Sequence, residues 1–450
     1  MKRTIKTILL LVVLVWIVVF LVGRIRWPIS LDQGWSSPVR VTDTEDADAG
    51  GGFLYKSRDT MLLLKEHYDW SAKSSTYSIM IRHNDPSNSW TQLPLSGITG
   101  RYVFYCPDLG QATDKLTFEQ NFITNNQVIM SATFVRLNGD REVQIEPVRK
   151  WTADKKSLFG ETGSNVQLKY GPFFGIGVLN DSDIYLPYSV RGETQRGKII
   201  YDDEGPFNNG VFHSTDYGAT WQMNRISADC DGGEPTMCKT KDYYYYFASK
   251  NSGFTLWFSR KPVAGGSWDE PKLLTKTSAN WRGGGFLAEG DTVHACWLDS
   301  RLEKNRLDIG LIPAPHLFAK LGNCAVAYCQ RKDSDSTWHK DIILSKGLRL
   351  SYWASMSVEG NKIVVAWDGW ESRSSYDIYY ATSKDGGKTW TRPLKVTDRA
   401  KDDITSERPQ VALQNGVIHL FYAQGKWNRH EQASNQGGWP VYYQQRPFPD

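Results

Sequence analysis

A glutamate before a proline, a tyrosine between two serines and two arginines fall at one phase of a repeated strand pattern. Counting back nine or ten residues from the second strand of successive units lands on Glu234 in G-E-P-T-M, Arg282 in W-R-G-G-G, Tyr352 in S-Y-W-A-S and Arg408 in E-R-P-Q-V, with Gly50 in the first unit. The loops after those second strands add Asp69, Arg191, Lys250, Arg301, Asp368, Arg373 and Arg429. Carboxylates, a tyrosine and several cations gathered at one mouth suit an acidic sugar, because guanidinium forks grip carboxylates and environment-shifted carboxyls move protons. Each residue also has a plainer role. Glu234 before Pro235 can cap a turn, Tyr352 can pack in a core with its hydroxyl satisfied, and a single arginine is commonly a solvated rim charge. Their shared register is what argues for a site. No P-loop, H-E-x-x-H or G-x-S-x-G occurs, so phosphate, zinc-protease and hydrolase-elbow chemistries lack support.

The elements that would position these residues come from a repeat. Ser214-T-D-Y-G-A-T-Trp221 and Ser383-K-D-G-G-K-T-Trp390 share the pattern S-x-D-x-G-x-T-W. The letters have physical reasons: the aspartate accepts N–H bonds inside a tight turn, the glycine permits positive φ, and the tryptophan plugs the layer beneath. The pattern resembles the Asp box of β-propeller proteins such as sialidases. Eroded copies run from Arg82 to Trp90, Ser259 to Trp268 and Asp333 to Trp338. The segments after the tryptophans repeat too, as T-R-P-L-K-V-T-D after Trp390, D-E-P-K-L-L-T-K after Trp268 and S-S-P-V-R-V-T-D after Trp35.

An outer-strand copy at Ser36–Thr42, with no strands of its own before it, predicts a blade completed by strands near Val417 to Tyr443. That closes a ring and leaves no open sheet edge. Second strands start near Thr60, Gln127, Asp183, Tyr243, Thr292, Lys362 and Val417, a spacing of roughly 50 to 70 residues that suits large four-stranded blades. The expected fold is all-β, a β-propeller of seven blades, or six because the unit at Gln127 lacks a box. In such a blade the boxes lie on one face and the candidate residues on the other, so the boxes are read as structural. Tyr243 to Phe247 reads as a buried strand rather than a sugar platform.

Of the 450 residues 40% are apolar and 23% charged, which excludes a disordered chain and a multi-span membrane protein. Lys+Arg 53 against Asp+Glu 49 leaves +4 without a dense basic block in the body, so nucleic acid is not an expected partner. Lys2, Arg3 and Lys6 precede an apolar stretch from Ile8 to Val22, closed by Gly23, Arg24 and Arg26. Without a small-x-small cleavage site it reads as an uncleaved signal anchor in residues 1–30, placing the 31–450 body outside the cytoplasm, periplasmic or at the cell surface; cleavage would make it secreted. The six cysteines form no C-x-x-C pair and read as buried thiols, with a Cys230–Cys238 bridge as the alternative. No cofactor or metal site is evident; the loop with Asp43, Glu45, Asp46 and Asp48 is read as solvated rather than calcium-binding. Composition leaves the oligomeric state open.

Tyr170 to Lys261 resembles the middle of the bacterial exo-α-sialidase family in G-P-F-F-G-I-G-V-L-N-D-S-D-I-Y-L-P-Y, the Asp box and G-E-P-T-M before a strand. A looser resemblance continues to about Trp367. It implies that Glu234 polarises a tyrosine nucleophile at Tyr352, that Asp69 in Y-D-W is the acid/base, and that Asp368 stands in for a late glutamate. A tyrosine suits this chemistry because the sugar carboxylate beside the anomeric carbon repels an anionic nucleophile. The family clamps that carboxylate with three arginines. Here the chain departs: A-D-A-G-G-G-F-L replaces the R-I-P start, and Lys250 stands where the family has arginine. Lys250, Arg282, Arg301 and Arg408 are the candidates for a rebuilt clamp. Two other functions fit the same fold, a non-catalytic glycan-binding propeller and a protein-binding or assembly-factor propeller.

Overall fold

The computed structural model describes residues 29–41, 53–57, 60–69, 74–83, 90–100, 102–104, 115–123, 127–138, 142–145, 149–154, 166–168, 173–174, 177–180, 182–194, 207–226, 235–250, 255–275, 278–299, 325–348, 350–370, 376–399, 404–426 and 440–449. The apolar stretch Ile8–Val22, Gly50, the Asp43–Asp48 loop, Glu234, Arg301, Arg373 and Arg429 lie outside them. Among the described residues the regular structure is all strand, in seven antiparallel sheets, and no helix is long and apolar enough to cross a membrane.

The fourth to sixth sheets set the pattern of four consecutive strands laid side by side. The fourth is Thr236–Lys239, Tyr243–Lys250, Thr255–Pro262 and Lys272–Thr275. The fifth is Ser278–Glu289, Thr292–Asp299, Ala325–Lys332 and Ile342–Ile343, and the sixth Leu350–Glu359, Lys362–Trp370, Asp377–Ser383 and Leu394–Lys395. The second strands are buried on both faces, as the run Tyr244 to Phe247 shows, because each sheet is sandwiched between two others. The first strands of the fifth, sixth and seventh sheets pack in succession, and that of the seventh meets Phe53–Ser57 of the first sheet. The sheets therefore follow one another around a ring, the arrangement of a β-propeller.

The seventh sheet shows how the ring shuts. Its strands Ile404–Gln414, Val417–Lys426 and Val441–Pro447 are completed by Val39–Arg40, with Val39 opposite Tyr443 and Arg40 opposite Tyr442. An outer strand from the beginning of the chain finishes the last sheet, as the repeat after Trp35 predicts. The segment before it is stitched to the sixth sheet: Lys395 N–H donates to Ser30 O at 3.0 Å and Asp32 N–H to Lys395 O at 2.8 Å. Asp32 also pairs with Arg446 and accepts from the Tyr380 hydroxyl at 2.5 Å.

The two full boxes fold alike. Ser214 and Ser383 each donate to the box aspartate at 2.8 Å, and the backbone N–H groups of Thr220 and Thr389 donate to the same carboxylates at 2.7 and 2.9 Å. The threonine hydroxyls add 2.5 Å bonds, the largest of the donors holding Asp216 and Asp385 down to about 2. Gly218 and Gly387 sit at φ 80° and 87°, where side chains are strained. Both boxes abut the turn before a second strand: Tyr217 N–H bonds Ser182 O, and Gly386 N–H bonds Asn361 O. That is the end of the sheet opposite the candidate residues.

Each box tryptophan, full or eroded, packs on the preceding sheet. Trp221 stacks on Trp151 at 4.6 Å, Trp338 meets Phe258 at 5.4 Å, and Trp390 meets Tyr328 at 4.7 Å. Trp268 lies on the core shared by the fourth sheet and the one before it, which holds Asp183–Thr194 and Phe207–Ser214, and Trp35 meets Tyr380 at 5.3 Å. Trp90 of the first sheet lies 5.0 Å from Phe421 of the last, so the series runs around the closure. The full boxes also give the indole a hydrogen bond, Trp221 to Gly218 O at 3.0 Å and Trp390 to Gly387 O at 3.1 Å. Among the described residues the buried indole nitrogens of Trp90, Trp268 and Trp338 have no such acceptor.

Cys238, Cys296 and Cys329 are buried free thiols, so Cys238 is not bridged to Cys230. Burial pushes the Cys296 thiol up to about 12, which removes it as a nucleophile at neutral pH.

Candidate functional site

The ring brings one end of every sheet to a common mouth. Tyr352, Arg282 and Arg408 lie in the first strands of the sixth, fifth and seventh sheets, and these strands are neighbours. Asp69 and Lys250 are the last residues of Thr60–Asp69 and Tyr243–Lys250, both second strands, and Asp368 lies near the end of another. Arg191 lies in Asp183–Thr194. The backbone thus puts these positions at the same end of their sheets.

The three first strands share an irregularity there. The pairing register shifts between Asn280 and Gly285, around Arg282; between Tyr352 and Ala354; and between Glu407 and Gln410, around Arg408. Trp353 and Arg408 take φ values of 35° and 55°, in the left-handed region that disfavours side chains. Bulges of this kind re-aim side chains at the rim of a closed sheet, and strained backbone persists only where its surroundings hold it. Here the two strained residues hold each other, since the Arg408 guanidinium lies 5.2 Å from the centre of the Trp353 ring.

Asp368 sits at the junction. It is opposite Tyr352 in the sheet and 1% exposed, and its Oδ2 accepts the Arg408 backbone N–H at 2.8 Å. Its Oδ1 is buried without a hydrogen-bond partner among the described residues. Burial, and then the neighbouring Glu407, push Asp368 well above the usual carboxylate range. Glu407 is raised as well, chiefly by burial, although Thr405 donates to its Oε1 at 3.3 Å. Both carboxyls are thus held above their usual range, and repulsion between the neighbouring acids works in the same direction as burial.

The same bond belongs to a seam between the sixth and seventh sheets. Val411 and Leu413 N–H donate to Ser355 and Ser357 Oγ at 3.1 and 2.9 Å, and the Asn415 and Gly416 N–H groups donate to Glu359 at 2.7 and 2.9 Å. Side chains of one sheet thereby satisfy the free edge of the next, which buried backbone requires. Asp368 is the rung of this seam nearest the mouth. The fifth sheet has its own buried aspartate, Asp299, which accepts from Trp297 Nε1 at 3.1 Å.

Glu407 and Trp353 join the site although no sequence pattern picks them out. Glu407 adjoins Arg408 in E-R-P, and Trp353 adjoins Tyr352, so adjacency was the available signal. Their significance comes from the neighbouring sheet, which no local pattern displays. No cluster of metal-ligating side chains occurs among the described residues.

No protein-family model matches the chain, and no curated protein does. Among solved structures it is similar to the NanB sialidase of Streptococcus pneumoniae, at 12% identity and a TM-score of 0.42 over 93% of this chain and 71% of that one. The Trypanosoma rangeli sialidase aligns at 10% identity and a TM-score of 0.45, over 92% of this chain and 60% of that one. The GH93 α-L-arabinofuranosidase of Fusarium graminearum aligns at 13% identity and a TM-score of 0.42, over 91% and 98%.

Proposed function

We propose that the chain is a membrane-anchored, extracytoplasmic glycoside hydrolase of sialidase type, a seven-bladed propeller acting on acidic glycans. One observation carries the reading: the three adjacent first strands are irregular at the positions of Arg282, Tyr352 and Arg408, the residues singled out for chemistry. The electrostatics favour an anionic ligand. Arg282, Arg408 and Lys250 are cations, and burial works against an opposing charge on Asp368. In the proposed reaction Glu234 takes the proton of the Tyr352 hydroxyl as its oxygen bonds to the anomeric carbon, and the glycosidic C–O bond breaks. Asp69 protonates the departing oxygen, and water then releases the sugar from the tyrosine. Lys250, with Arg282 or Arg408, holds the sugar carboxylate, Arg301 supports it from the adjoining loop, and Asp368 positions the Arg408 backbone.

A second reading, glycan binding without turnover, is favoured by the engagement of Arg408 with Trp353 and by lysine at position 250. Hydrolysis of a fluorogenic sialoside by the full chain in detergent separates the two, run beside Tyr352→Phe and Glu234→Ala. Turnover lost in both variants supports the hydrolase. No turnover across acidic glycosides together with selective retention on a glycan array supports the binding propeller, and neither activity refutes both.

A further inference from the structure

The seam between the sixth and seventh sheets keeps one offset along its length. Ser355 accepts the Val411 N–H, Ser357 the Leu413 N–H and Glu359 the Asn415 N–H, and in each rung the two residues are 56 apart in sequence. Two residues further towards the mouth the same offset sets position 353 beside Pro409, which has no N–H to donate. The N–H beyond it, that of Arg408, goes to Asp368 at 2.8 Å. The seam therefore asks for no polar side chain at position 353, and the residue there is a tryptophan.

The core does not ask for it either. Ala354 and Met356 fill the core shared by the fifth and sixth sheets, whereas Trp353 is half-buried and held at a φ of 35° that disfavours any side chain. What its ring meets is Arg408, also half-buried, whose guanidinium lies 5.2 Å from the ring centre. The other groups within reach of that cation are the two acids of the junction. Burial raises Asp368 and Glu407, Glu407 raises Asp368 further, and the charge of Arg408 pulls both back. A direct ion pair with either acid would consume the charge of Arg408. An aromatic face attracts a cation without bringing a counter-charge, so a guanidinium held by the ring keeps its pull on an external anion.

We propose that Trp353 is a positioning residue for Arg408: its ring holds the guanidinium at the mouth, off the acids of the junction, and thereby makes the site prefer a glycan carrying a carboxylate over a neutral one. This rests on the acidic-glycan reading and holds for turnover and for binding alike. The tryptophan fixes the side chain of Arg408 as Asp368 fixes its backbone.

The test compares a methylumbelliferyl α-sialoside with its carboxyl methyl ester on the full chain in detergent. The wild-type chain should prefer the free acid. Trp353→Leu should cut that preference by about fivefold or more through KM, with kcat within about twofold, and Trp353→Phe, which keeps a ring, should lie between. For a chain that binds without turnover, the same ratio is read by saturation-transfer NMR with methyl α-sialoside and its ester. A merely structural role moves acid and ester together. An equal fall for both, or an unchanged preference in Trp353→Leu, therefore overturns the positioning role; should Trp353→Leu not fold, Trp353→Phe decides by the same criterion. A wild-type chain that shows no preference for the acid, or neither turns over nor binds either compound, overturns the acidic-glycan reading instead, and the positioning role with it.

Discussion

Trp390→Phe and Trp338→Phe test what the box glycine contributes beyond the turn. Both indoles are partly exposed and pack edge-on against an aromatic ring of the preceding sheet. Trp390 donates to Gly387 O at 3.1 Å, whereas the buried nitrogen of Trp338 has no partner among the described residues. Replacing indole by a phenyl ring removes similar packing from each site, so packing largely cancels in the comparison. What remains is one satisfied hydrogen bond, worth about 1 kcal/mol, against relief of a buried unpaired donor, worth about 1–3 kcal/mol. Trp390→Phe should therefore cost about 2–4 kcal/mol more than Trp338→Phe. An unfolding entropy near 2.1 cal/mol/K per residue gives about 0.9 kcal/mol per kelvin for this chain, so scanning calorimetry should separate the two Tm values by about 2–4 °C. Equal losses, or a larger loss in Trp338→Phe, would refute the reasoning, because the nitrogen of Trp338 would then have a partner.

Asp368 gives a pH prediction. Its folded pKa is raised, so the folded state holds a proton that the unfolded chain releases near pH 4. Its contribution is intact below that value and is lost as pH rises towards the folded pKa; Glu407 acts in the same direction. Asp368→Asn, which keeps an acceptor for the Arg408 amide, should flatten the fall in Tm between pH 4 and 8. An unchanged slope would show that Asp368 ionises freely. Gly387→Ala should cost more than Gly265→Ala, by about 1–3 kcal/mol in chemical denaturation. Both glycines have positive φ, but a methyl group at 387 runs into the Tyr328 ring while that at 265 meets open space. Equal costs would mean that Tyr328 moves aside freely.

Much of the fold was legible because its signals are local. A tight turn that needs an aspartate acceptor, a positive-φ glycine and a plugging tryptophan spells itself out in eight consecutive letters. Ring closure was legible because the outer strand after Trp35 repeats the one after Trp390. The eroded boxes show which letter the ring depends on. Asp333 to Trp338 has lost the glycine and the indole bond but kept the tryptophan, since its ring fills the gap to Phe247 and Phe258 of the preceding sheet. Hydrogen bonds within the turn can be replaced by water, whereas a missing ring between two sheets leaves a cavity.

The candidate site was legible only in outline, for the converse reason. Strand arithmetic reaches Tyr352, Asp368 and Arg408 because each lies at a countable distance from a turn. It does not reach the bulges, which arise where neighbouring sheets meet: Arg408 is strained because its amide is fixed by Asp368 and its guanidinium by Trp353, both on another sheet. Nor does it reach Glu407, which looks like half of a surface E-R pair until burial sets it beside a second acid. The seam that closes the sixth sheet on the seventh thus also sets the conformation of the mouth. Substitutions at Asp368 should consequently disturb ring stability and ligand affinity together, while Tyr352→Phe should affect turnover alone.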